Sequence, residues 1–283
     1  MAQFKFTKMH GLGNTYIYVN LFEETLQEAE LASLAVQVSN VNTGIGSDGM
    51  ILIGPSDKAD FRMRVFNNDG SEAKNCGNGL RCVAKYVYDR GLTDKRNIQI
   101  ETLGGNVEAQ IHLGTDGKTE SVTVDMGMPR LTKQEIPMLG NPDSKTIEET
   151  FTFHGMPFAV TAVSMGNPHA VIFVDDADAV DVERIGPVIE FDERFPERVN
   201  VEFIEVVSRN EIIFRVWERG SGITQACGTG ACAAVVAGVL TEKTDCNVLV
   251  HLLGGDLQIE WREDGRIYMT GPANFICDGI FYR

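Results

Sequence analysis

The chain has 283 residues, 43% of them hydrophobic, and its formal net charge at pH 7 is −15. Such a length suits one large domain or two modest ones, and so acidic a chain excludes the basic surface that attracts nucleic acid or an anionic membrane. The N-terminal stretch MAQFKFTKMHGLGN lacks the apolar core of a signal peptide, and no apolar run of about 18 residues follows. We therefore expect a cytoplasmic protein that binds a small molecule.

Elements in the N-terminal half begin with an amphipathic, external helix from about Leu26 to Asn40, followed by the alternating strand FRMRVF. A helix after Cys76 is predicted, since Gly91 suits its C-terminal end and apolar residues recur at helical spacing, namely Leu80, Val83, Ala84 and Val87. The stretch VTVDM predicts a further strand. The literal GxGxxG at Gly44–Gly49 precedes a strand and follows a helix, the reverse of a dinucleotide site, so we discount it.

In the C-terminal half, residues 131–150 have the composition of a surface connection, and the acidic segment 174–183 is expected to be a solvated loop or helix start. The stretches EIIFRVW and LQIEW predict strands. Ala231–Leu240 carries no charge, and a helix that is apolar on every side is normally buried. We therefore expect the sheet of this half to wrap around that helix.

An internal repeat relates the two halves. Cys76 in KNCGNG and Cys227 in QACGTG lie 151 residues apart, and the stretches RVF and RVW match at the same offset. Leu-Gly-Gly recurs at an offset of 150, and Gly-Asn recurs at 153. Four collinear matches indicate two copies of one lobe. We expect an N-terminal lobe of residues 1–130, joined by a C-terminal strand at 274–283, and a C-terminal lobe of residues 131–273.

The six cysteines are expected to be thiols, and none forms the CxxC pair of a zinc or thioredoxin-like site. Cys76 and Cys227 differ from the rest because each precedes a helix with glycines in its first turn. Free N–H groups and the helix dipole there are expected to lower a thiol pKa from about 8.5 toward neutrality. The remaining four are expected to be small core residues: Cys82, Cys232, Cys246 and Cys277.

Two thiols at glycine-rich helix starts suit the inversion of a stereocentre. One thiolate removes a proton from one side of a carbon, and a thiol returns a proton from the other side. The same N–H groups can hold a substrate carboxylate and stabilise the carbanion. No lysine site of the pyridoxal type and no metal-ligand cluster is evident, so the sequence predicts neither cofactor nor metal. His10 and His169, beside the two Gly-Asn pairs, order a loop or contact the ligand.

These motifs resemble the pyridoxal-independent diaminopimelate epimerases over essentially the whole chain. The resemblance is carried by KMHGLGN, FNNDGSEAKNCGNGLRC, SMGNPHAV, RVNVEF, WERGSG, QACGTGACAA and the late GPA. It implies an α+β fold of two pseudo-symmetric lobes, each a curved, mostly antiparallel sheet wrapped around a central helix, with the active site in the cleft between the lobes. It also implies a cofactor-free isomerase, in lysine and peptidoglycan precursor synthesis, that forms a homodimer.

The resemblance implies roles for matching positions. Cys76 and Cys227 would be the acid–base pair, with His169 as possible support. The α-carboxylate would be held by Gly77, Asn78, Gly228 and Thr229. Other amino and carboxylate groups of the substrate would be held by Asn14, Asn67, Asn167, Asn200, Glu218 and Arg219. Thr15, Gly49 and Ile223 depart from residues frequent in the family, which are aspartate, glutamine and glutamate.

Two other interpretations stay open at this stage. The first is a related racemase that acts on proline or hydroxyproline, which also uses paired cysteines but lacks a second amino-acid end to recognise. The second is a non-enzymatic redox or metal-binding protein, in which Cys76 and Cys227 form a switchable disulfide.

Overall fold

The computed structural model describes residues 3–283, which form two compact units. Unit 1 contains the described residues up to Asp125 together with Thr270–Arg283, and unit 2 is Met126–Met269. The predicted α+β class is confirmed, since strands outnumber helices in both units. That the units are separate domains with limits at 1–130, 131–273 and 274–283 stays a prediction.

The secondary structure comprises eighteen named strands, four α-helices and one 3-10 turn at Glu28–Glu30 within the described residues. The strands are β1 (Gln3–Gly11), β2 (Asn14–Asn20), β3 (Gly49–Gly54), β4 (Phe61–Asn67), β5 (Glu72–Ala73), β6 (Asn97–Thr102), β7 (Gly105–Leu113), β8 (Thr119–Gly127), β9 (Glu149–Phe153), β10 (Met156–Ser164), β11 (Pro168–Phe173), β12 (Asn200–Ser208), β13 (Glu211–Glu218), β14 (Gly222–Ile223), β15 (Asn247–Leu252), β16 (Gly255–Trp261), β17 (Ile267–Gly271) and β18 (Asn274–Tyr282). The helices are α1 (Leu31–Ser39), α2 (Gly77–Asp89), α3 (Val182–Glu190) and α4 (Gly228–Leu240).

Strand pairing repeats from one unit to the other. In unit 1, β1 pairs antiparallel with β2, β2 parallel with β3, β3 antiparallel with β4, β4 parallel with β6, and β6 antiparallel with β7. In unit 2, β10, β11, β12, β13, β15 and β16 follow the same order and the same directions. The two units therefore share one topology, as the sequence repeat indicated.

The outer strand of each unit also has a counterpart. β18 pairs antiparallel with β1, from Gln3 opposite Tyr282 to His10 opposite Asn274. In unit 2, β9 occupies the corresponding place beside β10. Strand β18 thus completes the sheet of unit 1.

Each unit has one helix buried against its sheet. Helix α2 is buried from Asn78 to Val87, and it ends where Gly91 at φ +74° donates its N–H to Tyr88 O, the positive-φ arrangement that suits glycine. Helix α4 is buried along most of its length, from Gly228 to Gly238. The predicted buried helix is therefore confirmed, and its absence of charge follows from its lack of a solvent face.

The helices α1 and α3 cover the other face of the same sheets. Leu31, Leu34 and Val38 of α1 pack with Met50 and Leu52 of β3 in one apolar cluster. In unit 2, Val182 and Ile189 of α3 belong to a cluster that includes Val201 and Phe203 of β12. Strands β3 and β12 are thus covered on both faces, which explains the burial of all of β3 and of Asn200 to Ile204 in β12.

Several local expectations need correction. Helix α1 begins at Leu31 and not near Leu26, because Gln27 is extended and Glu28–Glu30 form a 3-10 turn. The connection 131–150 does not lie wholly at the surface, since Ile136 is completely buried and packs in the unit 2 core. Cys246 and Cys277 are exposed and therefore not core residues. Cys82 and Cys232 are buried as expected.

His251 on β15 bonds Asp256 through Nδ1 at 2.7 Å and Glu211 through Nε2 at 2.9 Å, which ties three neighbouring strands together. Among the described residues, no helix has the length and apolar character needed to span a bilayer.

Candidate active site

The thiol of unit 1 stands at the start of helix α2. Cys76 is the N-cap residue with extended backbone, and its Sγ accepts the N–H of Gly79 at 3.3 Å. A sulfur therefore takes the place of the usual oxygen cap and meets one of the free N–H groups of the first turn. The side chain is half-buried.

An asparagine cluster lies next to this thiol. Asn14 Oδ1 is 3.9 Å from Cys76 Sγ and accepts from Asn78 Nδ2 at 3.3 Å. Asn14 is itself held by Asp48, whose carboxylate accepts from Asn14 Nδ2 at 2.8 Å and from the N–H of Thr15 at 2.7 Å. Two predicted ligand residues and the thiol are thus brought together.

A buried arginine completes the unit 1 site. Arg81 has no exposed surface, although it carries a full charge. Its Nη2 donates to Asn78 Oδ1 at 2.9 Å, and its Nε donates to the carbonyl of Pro272 at 3.2 Å. Asn67, another predicted ligand residue, ends β4 opposite Gly49 and donates from Nδ2 to Ser71 Oγ at 3.0 Å.

The thiol of unit 2 stands at the start of helix α4. Cys227 is again the N-cap residue with extended backbone, and it is buried. Its Sγ lies 3.6 Å from Thr229 Oγ1, and Asn167 Nδ2 donates to the same hydroxyl at 3.3 Å. Asn167 and Thr229 stand at the repeat positions of Asn14 and Asn78. The two units thus build matching polar clusters beside their thiols.

The predicted support residue His169 joins this cluster. His169 is completely buried, and its Nε2 lies 3.1 Å from Asn167 Oδ1. Its Nδ1 lies 2.6 Å from Oε1 of Glu202, a carboxyl group that is also completely buried. A continuous hydrogen-bonded path therefore joins Glu202 to the sulfur of Cys227.

The turn after β13 carries Glu218 and Arg219. The N–H of Arg219 donates to Asn200 Oδ1 at 2.9 Å, and Glu218 accepts from the hydroxyl of Thr224. Glu190, which is buried, holds the same turn by accepting from Trp217 Nε1 at 2.6 Å and from the N–H of Gly220 at 3.0 Å. Glu218 at the end of β13 and Arg219 in the turn are therefore held together, with Asn200 of β12 bonded to Arg219, and the sequence analysis did not identify the residue that braces the turn, Glu190.

The pKa values of the two thiols differ from the prediction. They also differ from one another. Burial raises the pKa of Cys76, opposed by the N–H of Gly79, by Tyr16 and by the positive charge of Arg81. Burial also raises the pKa of Cys227 well above its ordinary value, and the negative charges of Glu218 and Glu202 raise it further. The predicted lowering is therefore wrong, because loss of hydration outweighs the helix N–H groups.

A family model and full-length relatives both match this chain. The family model of diaminopimelate epimerase matches residues 6–132 and 161–276, one segment centred on each unit. A diaminopimelate epimerase of Geobacillus sp. (strain WCH70) is 60% identical over 284 residues and covers the whole of both chains. The chain belongs to the diaminopimelate epimerase family.

Solved structures extend the likeness beyond the diaminopimelate epimerase family. A PhzF-family phenazine biosynthesis protein of Bacillus anthracis has a TM-score of 0.74 at 18% identity and covers all of both chains. A hydroxyproline epimerase from Agrobacterium vitis has a TM-score of 0.67 at 14% identity, covering 99% of this chain and 91% of that one. At such identities the likeness concerns the fold alone, which supports the two-lobed α+β architecture.

Position 49 explains one departure from the residues frequent among diaminopimelate epimerases. A Cβ added to Gly49 would lie 2.1 Å from the carbonyl oxygen of Phe66, so this backbone admits only glycine. Ile223, at another such position, is 43% exposed in β14. At the third such position, the backbone N–H of Thr15 donates a hydrogen bond to the Asp48 carboxylate.

Sequence reasoning missed Arg81, Glu202 and Asp48. The signal for the first two was a charge inside an otherwise apolar stretch, LRCVA for Arg81 and VEFI for Glu202. A charged residue in such a place is buried only when it has polar partners. Asp48 had no comparable signal, because a turn aspartate between a glycine and a serine is ordinarily solvated.

Proposed function

We propose that this protein interconverts LL- and meso-2,6-diaminopimelate without a cofactor, by proton transfer between Cys76 and Cys227. The match of the family model to both units and the full-length identity to a diaminopimelate epimerase support the substrate and the reaction. The paired helix-start thiols, each beside a matching polar cluster, are the observation that carries the chemistry.

The proposed step is balanced in atoms and charge. A thiolate takes the α-proton, so that an S–H bond forms, the C–H bond breaks, and the electron pair moves onto the carboxylate as an enediolate. The second thiol then gives its proton to the opposite face of the carbon and becomes a thiolate. The reaction therefore ends with the stereocentre inverted and the two sulfurs in exchanged protonation states, which requires both to reach one α-carbon.

The unlike surroundings of the thiols support an assignment of their resting states. Burial raises the pKa of both thiols; the positive charge of Arg81 opposes this rise at Cys76, whereas the negative charge of Glu218 adds to it at Cys227. We propose that Cys76 is the resting base and Cys227 the resting acid. Binding of a substrate ammonium group beside Glu218 would neutralise its charge and so reduce the difference when the roles reverse.

Recognition of the substrate is assigned to the polar groups around the thiols. We propose that the N–H groups of Gly77, Asn78, Gly228 and Thr229 hold the α-carboxylate, because helix starts bind anions. We propose that the remaining amino and carboxylate groups of the substrate are bound by Asn14, Asn67, Asn167, Asn200, Glu218 and Arg219. Arginine can grip a carboxylate with two parallel bonds, and glutamate accepts from an ammonium group, so both ends of a double zwitterion have partners.

The test is α-proton exchange in deuterated water under reducing conditions, with LL- or meso-diaminopimelate and with Cys76→Ala and Cys227→Ala. We expect deuterium to enter the α-position with inversion in the wild type, and inversion to be lost in both variants. No exchange with either isomer would refute the substrate. Inversion that persists in either variant would refute the two-thiol reaction.

The two other interpretations are tested with other substrates and by metal analysis. Turnover of proline or hydroxyproline without turnover of diaminopimelate would favour the racemase. Stoichiometric zinc in the reduced protein, with loss of activity after chelation, would favour a metal protein. We expect chelator treatment to leave epimerisation unchanged, because the proposed reaction uses no metal.

We propose further that the protein is a cytoplasmic homodimer. The outward side chains of β18 include Ile276, Ile280 and Tyr282, each between 46% and 63% exposed, which form an apolar face on the edge of unit 1. Sedimentation should give the mass of two chains, and Ile280→Glu should shift the protein to monomer. A monomeric wild type would refute this proposal.

A further inference from the structure

A buried carboxyl group in unit 2 has no evident structural purpose. Glu202 lies on β12 with no exposed surface. Its Oε1 is 2.6 Å from His169 Nδ1, while its Oε2 has no hydrogen-bond partner among the described residues. Burial raises the pKa of this carboxyl, opposed by His169. Burial of such a group is unfavourable for folding, so its retention points to a functional reason.

The path from Glu202 leads to the sulfur in three further contacts. His169 Nε2 is 3.1 Å from Asn167 Oδ1, Asn167 Nδ2 donates to Thr229 Oγ1 at 3.3 Å, and that hydroxyl lies 3.6 Å from Cys227 Sγ. We call Glu202, His169, Asn167, Thr229 and Cys227 the relay. Each member is buried or half-buried, which strengthens its hydrogen bonds relative to those in water.

Proton positions within the relay follow from its end groups. Asn167 Oδ1 can only accept, so His169 Nε2 carries a hydrogen. A single proton is then shared between His169 Nδ1 and Glu202 Oε1, and either location leaves the pair with no net charge. The amide of Asn167 consequently presents its NH2 group to Thr229. The hydroxyl of Thr229 accepts that bond and is left to donate its own hydrogen to Cys227.

The repeat shows that the fold does not require this carboxyl. The residue 151 positions earlier is Ile51, which is also completely buried. A Cβ added to Gly79 would meet Ile51 Cδ1 and then Cys76, whereas one added to Gly230 would meet Glu202 Oε1 at 2.9 Å and Cys227 Sγ at 3.2 Å. The two side chains thus occupy equivalent places beside the first helical turn, and only one is ionisable.

We propose that Glu202 is a positioning residue that acts through His169, Asn167 and Thr229 to keep a hydroxyl donor directed at Cys227. This donor stabilises the thiolate that Cys227 becomes after giving up its proton, so the inference rests on the proposed function. Glu202 itself touches neither substrate nor reacting atom. Its role is to fix the tautomer of His169 and, through it, the direction of every bond in the relay.

The test compares Glu202→Leu, Thr229→Val and the double variant in the full-length, substrate-free protein. The rate at which iodoacetamide alkylates Cys227 is followed by peptide mass spectrometry, because well below its pKa a thiol reacts in proportion to its thiolate fraction. The relay predicts that each single variant reacts roughly tenfold more slowly, which corresponds to a pKa one unit higher. The double variant should match Thr229→Val, because both changes remove the same donor.

A purely electrostatic role for Glu202 gives the opposite result. Loss of a nearby negative charge would lower the pKa of Cys227, so Glu202→Leu would react faster than the wild type. Faster or unchanged alkylation, or effects that multiply in the double variant, would overturn the proposal. Glu205→Gln is the matched control on the same strand, because its carboxylate accepts from the N–H of Ala177 and lies outside the relay.

Glu202→Gln keeps the test decisive if the leucine variant does not fold. Its amide can donate to His169 Nδ1, which preserves the Nε2 hydrogen and the relay, so alkylation should stay within about twofold of wild type while Thr229→Val still slows it. Acceleration in Glu202→Gln would contradict the relay. Failure of the proposed function is separate, because it would appear as epimerisation that persists in Cys227→Ala, whatever the alkylation rates.

Discussion

Gly79 in the first turn of α2 offers a sharp test of how closely the unit 1 site is packed. A Cβ added there would lie 2.6 Å from Ile51 Cδ1 and 3.4 Å from Cys76 Sγ. Carbon atoms in contact ordinarily stand about 3.5–4.0 Å apart. The helical backbone itself accepts alanine, so any loss of stability in Gly79→Ala comes from packing.

The expected size of the effect follows from two opposing contributions. Overpacking by one methyl group in a dense core costs about 1–3 kcal/mol, and the higher helix propensity of alanine returns at most about 1 kcal/mol. We therefore expect Gly79→Ala to lower the free energy of unfolding by about 1–2 kcal/mol. For a protein of this size, that corresponds to a fall of roughly 4 °C in Tm.

Ile51→Val removes the clashing Cδ1 and nothing else. On its own it should cost about 0.5–1.5 kcal/mol, because it leaves a small void. In the double variant the new methyl group fills that void, so the two losses should not add, and the coupling free energy from urea unfolding should be about 1–2 kcal/mol. Gly54→Ala is the control partner, since its added Cβ makes contacts of 3.4 Å or longer. Additive losses in Gly79→Ala/Ile51→Val, or no loss in Gly79→Ala, would refute the packing argument.

Three more predictions concern charge and thiol exposure. Hydrogen bonds to two carboxylates raise the pKa of His251 in the folded state, so its stabilisation is fully present below the unfolded pKa and is lost as pH rises through the folded pKa. Urea unfolding should show His251→Asn to be less stable than wild type by about 0.5 kcal/mol at pH 5.5 and equal to it at pH 9; a constant difference would contradict this. Arg81→Met should slow alkylation of Cys76 roughly tenfold at neutral pH by raising its pKa, and an unchanged rate would mean that the charge does not reach the thiol. Ellman's reagent should modify Cys246 first, and Cys246→Ser should remove the fast phase without changing epimerisation.

The paired-lobe architecture could be predicted from the sequence because two independent sequence features indicate it. One was the repeated CGxG motif at a constant offset, and the other was the uncharged helix at Ala231–Leu240. Both reflect local physical needs, since the first turn of a helix needs a cap and a fully buried helix needs apolar residues. The thiol positions followed from the same reasoning, and both are N-cap residues.

The errors arose where tertiary surroundings decide the outcome. Cys277 has a strand pattern around it, but β18 is covered on one face only, so an apolar residue there can be exposed. Glu202 lies on a strand covered by helices on both faces, so alternation gave no warning that its side chain is buried. The thiol pKa values depend on the balance between lost hydration and nearby charges, and no pattern of residue types contains that balance.

Two departures from the repeat lie where the proposed two-thiol reaction needs its thiols to differ. Arg81 in unit 1 corresponds at the 151-residue offset to the apolar Cys232 in unit 2, and Glu202 corresponds to Ile51. All four are completely buried, so neither charge serves solubility. The positive charge of Arg81 favours the thiolate at Cys76, and the negative charge of Glu218 favours the thiol at Cys227. Equal thiols would leave the enzyme with both protonated or both ionised for part of its population, and neither of those states can transfer one proton through the carbon. The charge of Arg81 near one thiol and that of Glu218 near the other remove that degeneracy.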